Sequence, residues 1–146
     1  MRLNVQSDYA LRLLMYLAIN KDRLCTISEI SAHYRISKNH MMKVAQHLSQ
    51  SGFLNAVKGR SGGLQLGMTP DRIMIGAVVR VMEADFAIVE CFGNRSNKCL
   101  ITPACRLKKV LREAVEAFLA VLDRFTLADL AGENDMLRKL LETDPA

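Results

Sequence analysis

The sequence contains no tryptophan, and aromatic residues make up only 5% of it. Its hydrophobic core must therefore be built from leucine, isoleucine, valine and alanine, together with eight methionines. No apolar run approaches the roughly 20 residues that a helix needs to cross a bilayer. The N-terminus also lacks an apolar stretch long enough for a secretion signal. These absences predict a soluble, cytoplasmic protein whose thiols stay reduced.

Positive charge is concentrated in the first half of the 146 residues. Residues 1–72 contain ten Lys or Arg against four Asp or Glu, a difference of +6. Residues 73–146 contain ten against eleven, a difference of −1. A basic excess on one side of a protein is typical of nucleic-acid binding, and solvated lysines are the alternative explanation.

The basic half has the pattern of a helix-turn-helix. Ser7–Ile19 is predicted as a helix with Ser7 as its N-cap. Thr26 and Glu29 have capping-box spacing and open a short second helix. Ser37 is expected to cap a third helix that runs to about Gln50. The polar residues of this third helix, expected to face mostly outward, are Lys38, Asn39, His40, Lys43, Gln46 and His47.

A glycine-rich hairpin is predicted directly after the third helix. Residues 52–57 and 64–66 have strand patterns, and the turn between them contains Lys58, Arg60 and Ser61. A hairpin in this position is a wing, whose glycines let the backbone approach a phosphate. An ordinary surface hairpin with incidental charge is the alternative. The residues predicted to contact DNA are Ser37, Lys38, Asn39, His40, Lys43, Lys58, Arg60 and Ser61.

Three of the four cysteines lie within fifteen residues of a predicted loop. Cys91, Cys99 and Cys105 are separated by seven and five residues that include Gly, Asn, Ser and Pro. The pattern favours a metal or redox site over a disulfide or chance clustering. The gaps are wider than the close pairs typical of structural zinc, and iron–sulfur clusters tolerate such gaps. Cys25 is interpreted as a small core residue, with metal ligation as the alternative.

A long amphipathic helix is predicted to follow the cysteines. Its apolar positions step by four, three, four, three and four residues, which is the seam of a coiled coil. We expect this helix to pair with a second copy of itself, with packing inside its own chain as the alternative. The seam residues are Leu107, Leu111, Ala114, Phe118, Val121 and Phe125.

These elements predict a mainly α fold with a small β-hairpin wing. We expect a winged helix-turn-helix DNA-binding domain at residues 1–84, whose last helix is Ile75–Ala84. A cysteine-rich cluster-binding loop is expected at 85–106. The dimerisation helix and C-terminal helices are expected at 104–146, with residues 143–146 frayed.

Four stretches carry a resemblance to a known family. They are Ser7–Arg12, Ser37–Met41, the turn at 58–63 and the run from Ile101 through Cys105 to Leu107. Together they resemble the bacterial winged-helix iron–sulfur regulators of the IscR/NsrR group, and within it the nitric-oxide-sensing repressors. The resemblance covers nearly the whole chain, although the gap of seven residues between Cys91 and Cys99 is longer than the expected five.

The resemblance implies a homodimeric repressor that releases operator DNA when nitric oxide nitrosylates its cluster. The cluster is expected to be [4Fe–4S], with [2Fe–2S] as the alternative, bound by Cys91, Cys99 and Cys105. In IscR-like members a histidine supplies the fourth ligand, but that position here is Lys108, which cannot ligate while charged. In the nitric-oxide-sensing members an acidic residue of the other protomer does so, and it matches Asp8. Arg12 would orient this carboxylate, and a plain helix-dipole role is the alternative for Asp8.

Other functions remain open at the level of the sequence. The same fold could serve an iron–sulfur or redox-responsive regulator of cluster assembly. A cluster-free regulator could instead bind zinc or form a redox disulfide through its cysteines. An enzyme is not expected, because no nucleophile–base pair, nucleotide-binding loop or pair of carboxylates stands out.

Overall fold

The computed structural model describes residues 1–93 and 95–142, and residues 143–146, which were predicted to fray, lie outside this range. The described residues form seven α-helices and one two-stranded antiparallel hairpin, which confirms the predicted fold class. Single 3₁₀ turns occur at 70–72, 90–92 and 102–104. The helices are α1 (Val5–Ile19), α2 (Ile27–Tyr34), α3 (Lys38–Gln50), α4 (Ile75–Met82), α5 (Arg106–Leu122), α6 (Leu127–Ala131) and α7 (Asp135–Glu142). The strands are β1 (Leu54–Val57) and β2 (Gly63–Leu66).

Helix α1 lies at the centre of the fold. It contacts α3, α4, α6, α7 and β2, so it has neighbours on most of its circumference. Ala10, Leu13, Leu14 and Leu17 are almost fully removed from solvent. Burial of these aliphatic side chains drives the association of the surrounding helices.

Helices α2 and α3 form the predicted helix-turn-helix. The Thr26 hydroxyl accepts the Glu29 backbone N–H, and the Glu29 carboxylate accepts the Thr26 N–H, which completes the capping box. Arg35 ends α2 in the left-handed conformation, with φ of 55°. The Ser37 hydroxyl then caps α3 by accepting the His40 N–H at 3.2 Å. Because α3 buries only one stripe, its remaining face is available to a ligand.

The hairpin is joined to the helix-turn-helix by a third short stretch of extended chain. Cys25 and Leu64 exchange two backbone hydrogen bonds of 3.0 and 2.7 Å. Cys25 is fully buried, and burial raises the pKa of its thiol to about 11. Its environment is that of a core residue, as the sequence interpretation held. The turn needs glycine at position 59, where φ is +110°, and at position 62, where an added Cβ would lie 2.1 Å from the Val57 carbonyl oxygen.

The first helix begins earlier than the sequence predicted. Asn4, and not Ser7, is the N-cap of α1, because its side-chain oxygen accepts the Ser7 N–H at 2.7 Å. Asparagine and serine cap helices about equally well, so local preference does not choose between them. Ser7 is buried inside the first turn, where its hydroxyl donates to the Glu83 carboxylate at 2.5 Å. Helix α4 also ends two residues before the predicted Ala84.

Helix α5 is anchored at one end, and only part of its predicted apolar seam is exposed, since Leu111 and Phe118 are half-buried against the chain's own residues. Asp123 lies just beyond the C-terminal end of α5. The Arg80 guanidinium donates to both of its carboxylate oxygens, at 2.5 and 2.7 Å. Phe125 accepts the Ile75 N–H at 3.0 Å beside this ion pair. No residue of α5 is buried, and the side chains of Leu107 and Val110 are 60% and 59% exposed. None of the described helices is both long and apolar enough to cross a membrane.

Candidate DNA-binding surface and cysteine loop

The exposed face of α3 and the adjacent hairpin form one polar, basic surface. Lys38, Asn39, His40 and Lys43 are all exposed on α3, as the sequence predicted for a recognition helix. An open groove separates this face from the hairpin, and Met42, which the sequence analysis did not assign, also lines it. Backbone and side-chain groups of this kind can contact phosphates and base edges in a major groove.

The tip of the hairpin carries the three predicted residues. Lys58, Arg60 and Ser61 are all exposed and take part in no hydrogen bond or ion pair that the structure describes. The compact glycine turn holds them at the end of the two strands, away from the core. Two cations without local partners suit contacts to the phosphate backbone.

The three clustered cysteines all have free thiols outside the core. Cys91 lies in the 90–92 turn and Cys105 immediately precedes α5, and both are half-buried, whereas Cys99 is exposed. Among residues 1–93 and 95–142, no three His, Cys, Asp or Glu side chains lie close enough to hold one metal ion. The donor set nevertheless fits an iron–sulfur cluster, whose thiolate ligands stand further apart than the ligands of a single ion.

The cysteine loop, residues 85–106, contains its own hydrogen bonds. Glu90 accepts the Lys98 backbone N–H at 2.6 Å. Asn97 accepts the Cys99 N–H at 3.0 Å and donates to the Thr102 hydroxyl at 2.8 Å. Nothing in the sequence pattern pointed to Glu90 and Asn97, because their partners depend on the path of the loop.

Asp8 and Arg12 form a two-pronged ion pair on α1. The Arg12 Nε and guanidinium nitrogen lie 3.1 and 2.7 Å from the two Asp8 carboxylate oxygens. The Asp8 side chain is half exposed, so a group from outside the chain can reach it. Exposed pairs of this spacing stabilise a helix only weakly, so the orienting role expected of Arg12 stays a prediction.

Helix α1 also connects the cysteine loop with α3. At its start, Glu83 accepts both the Asn4 N–H and the Ser7 hydroxyl, two residues before the loop begins. One residue after Asp8, the ring of Tyr9 lies 6.4 Å from the ring of His40 on α3. Glu83 and Tyr9 could not be predicted from the sequence, since both contacts join distant parts of the chain.

Comparison with known proteins places these features in one family. Residues 3–133 match the Rrf2 family model, described as iron-dependent transcriptional regulators. The chain is 49% identical over 143 residues to the HTH-type transcriptional regulator NsrR of Bacillus subtilis, covering 97% of this chain and 98% of that protein. It is 44% identical over 146 residues to the regulator of the same name from Halalkalibacterium halodurans, covering 99% and 100%.

Solved structures show the same architecture. CymR (YrzC) of B. subtilis, described as its global cysteine regulator, is 26% identical, with a TM-score of 0.70 over 92% of this chain and 99% of that one. IscR of T. potens, 22% identical, shares the fold with a TM-score of 0.69 over 89% and 85%. These relatives are regulators and not enzymes, in agreement with the prediction from the sequence. The chain therefore belongs to the Rrf2 family of iron-dependent transcriptional regulators.

Proposed function

We propose that this protein is a DNA-binding transcriptional repressor that senses nitric oxide through an iron–sulfur cluster. The observation that carries the proposal is the set of three free thiols on one loop beside a winged helix-turn-helix. The identity of 44–49% to regulators named NsrR, over nearly the full length of both chains, supports the same assignment. Nitric oxide arriving at the cluster is proposed to release the operator.

Cys91, Cys99 and Cys105 would hold the cluster, which we expect to be [4Fe–4S]. The bound cluster would supply iron that reacts with nitric oxide. Asp8 of the second protomer is proposed as the fourth ligand, because its carboxylate is half exposed and Lys108 replaces the alternative histidine. Arg12 would hold the carboxylate in one orientation through its two hydrogen bonds.

Helix α1 is the element that would transmit the signal. A change at Asp8 moves a helix that contacts α3, and Tyr9 lies against His40 at the start of the recognition helix. Dimeric DNA-binding proteins need their two recognition helices about 34–36 Å apart. A small displacement of these helices therefore disturbs binding to both half-sites together. For nitric oxide to switch repression off, the protein before and after reaction with nitric oxide must differ in its free energy of operator binding by some kcal/mol.

The protein is proposed to act as a homodimer paired through α5. Part of the apolar surface of α5 is uncovered in the single chain: Leu107, Val110 and Val121 are each about half exposed or more, whereas Leu111 and Phe118 are half-buried. Exposed apolar stripes at heptad spacing are stabilised by a matching helix, and a second copy supplies the same spacing. Because α5 follows Cys105 directly, pairing through this helix would also bring the cysteine loop towards the partner chain.

On DNA, the two basic elements would have separate roles. Lys38, Asn39 and His40 are proposed to reach base edges or nearby phosphates in the major groove, with Lys43 on a phosphate. Arg60 is proposed to enter the minor groove beside the half-site. Lys58 and Ser61 would contact the backbone next to it, and Ser37 would do so at the start of α3.

Anaerobic absorption together with iron and sulfide analysis tests the cluster assignment. Wild-type protein should be brown and contain stoichiometric iron and sulfide. Asp8→Ala should lose cluster more rapidly or show an altered spectrum, whereas Asp22→Ala, an exposed acidic residue beyond the end of α1, should match wild type. A colourless zinc-containing wild type would contradict the proposal, and an unchanged Asp8→Ala protein would remove Asp8 as a ligand.

A further inference from the structure

The three cysteine-bearing segments of the loop are connected to one another by contacts that do not involve sulfur. The first segment is the turn 90–92, the second is 97–99, and the third runs from 102 to 105 and leads into α5. Hydrogen bonds join the first segment to the second and the second to the third, and the first segment also contacts α5.

The first contact joins the first and second segments. The Glu90 carboxylate accepts the Lys98 backbone N–H at 2.6 Å, across eight residues of chain. A carboxylate bound to a backbone N–H makes a short, charge-assisted hydrogen bond. Because Glu90 precedes Cys91 and Lys98 precedes Cys99, this bond fixes the chain immediately before both thiols.

The second contact joins the second and third segments. The Asn97 side chain accepts the Cys99 N–H at 3.0 Å and donates to the Thr102 hydroxyl at 2.8 Å. That hydroxyl donates to the Cys99 carbonyl oxygen at 2.9 Å. Both backbone polar groups of Cys99 are therefore bonded, while its thiol stays exposed.

The third contact joins the first segment to α5. The Arg112 guanidinium lies 5.6 Å from the centroid of the Phe92 ring, within the range of a cation–π interaction. Phe92 is the neighbour of Cys91, and α5 begins directly after Cys105. The contact therefore places the start of the loop beside the first half of α5.

We infer that Glu90 and Asn97 are positioning residues that organise the cysteine loop before the cluster binds. A loop that is already partly ordered loses less conformational entropy when its thiols are fixed by a ligand. The contacts leave all three thiols free to ligate, and they use side chains whose removal leaves the core intact. This inference rests on the proposed function, since it assigns these residues to the same site.

Two readouts test the inference with Glu90→Ala and Asn97→Ala. In the metal-free protein, the amide hydrogens of Lys98 and Cys99 should exchange faster with solvent in the respective variant, measured by NMR. In the anaerobically loaded protein, both variants should lose iron to a chelator about tenfold faster than wild type, because removing groups that orient metal ligands lowers metal affinity by about tenfold or more. The thermal unfolding midpoint should not change.

Matched controls separate positioning from other roles. Lys98→Ala keeps the backbone N–H that Glu90 binds, and Glu90→Gln keeps an accepting oxygen, so both should retain iron nearly as wild type does. If Glu90→Gln loses iron as fast as Glu90→Ala, Glu90 does not act by accepting this hydrogen bond and its positioning role is overturned.

Failure of the inference and failure of the proposed function give different results. A wild type that takes up no iron contradicts the proposed function, and amide exchange in the metal-free protein still tests the hydrogen bonds. If wild type loads iron and the alanine variants load and release it at the same rates, the proposed cluster stands and the positioning role of Glu90 and Asn97 is overturned.

Discussion

Among single residues, the four cysteines differ most in what their surroundings allow. Cys25 is fully buried, and its thiol pKa is raised to about 11 by burial. Cys99 is exposed, and Cys91 and Cys105 are half-buried. Since the thiolate is the reactive form of cysteine, position in the fold separates one inert thiol from three available ones.

Alkylation of the metal-free native protein at pH 8 should therefore give three adducts. Cys91, Cys99 and Cys105 should react within minutes, and Cys25 should react only after denaturation. Mass spectrometry of the native and denatured protein measures this difference. A native Cys25 that is modified as fast as Cys99 would contradict the burial of its thiol.

The raised pKa of Cys25 also predicts a pH dependence of stability. The group is ordinarily half-ionised at pH 9.0, and the folded protein keeps it neutral up to about 11. Its contribution is fully present below pH 9 and is lost as the pH rises towards 11, because the unfolded chain binds fewer protons in that window. The free energy of unfolding of wild type should fall more steeply than that of Cys25→Ala, by up to about 1.4 kcal/mol per pH unit. Parallel curves from denaturant titrations across this range would contradict it.

Arg60 is the residue whose removal best isolates the role of the hairpin. Arg60→Ala should weaken DNA binding and reduce the slope of log K against log salt by about one phosphate contact. Lys139→Ala, which removes an exposed cation from α7, should leave both quantities unchanged. Binding isotherms at several salt concentrations measure the slope, and an unchanged slope for Arg60→Ala would exclude the hairpin from the interface.

Helix α5 is an element that leaves large apolar side chains exposed in the single chain. Its C-terminal end is held by the Arg80–Asp123 pair, while an apolar stripe that includes Leu107, Val110 and Val121 faces solvent. Pairing with a second copy would remove this stripe from water, and the gain is roughly 25 cal/mol for each Å² of apolar surface.

Introducing a charge into the stripe should dissociate the proposed dimer. Leu107→Glu combined with Val121→Glu should give a monomer at concentrations where wild type is dimeric, because two carboxylates would then be buried without partners. Lys109→Glu, on the opposite side of the helix, introduces the same charge and should remain dimeric. Sedimentation measures the mass, and circular dichroism checks that helix content is kept. A dimeric double variant would exclude this stripe as the interface.

Elements defined by local signals were predictable from the sequence, and contacts between distant elements were not. Thr26 and Ser37 cap their helices as predicted, because capping depends only on residues three positions away. The predicted start of α1 was wrong because Ser7 donates its hydroxyl hydrogen bond to Glu83, seventy-six positions away. The bonds of Glu90 and Asn97 span only eight and two positions, but they could not be predicted because they depend on the path of an irregular loop.

Across the whole chain, α1 is the element that links the proposed cluster site with the proposed DNA-binding surface. It carries Asp8, contacts the helix that would read DNA, and is bonded through Ser7 to the residue that leads into the cysteine loop. The candidate ligands and the candidate DNA contacts are thus connected through one buried helix. This arrangement suits a sensor, because a rigid element can pass a small displacement from one site to another.

The central claim is that the three cysteine sulfurs make operator binding sensitive to nitric oxide. The direct test is an anaerobic titration of operator-bound protein with nitric oxide, comparing wild type with the triple variant Cys91→Ser, Cys99→Ser and Cys105→Ser. Wild type should leave the operator in proportion to the cluster that reacts, whereas the triple variant should contain no cluster and show no response. Release of the triple variant from the operator at the same dose would contradict the account.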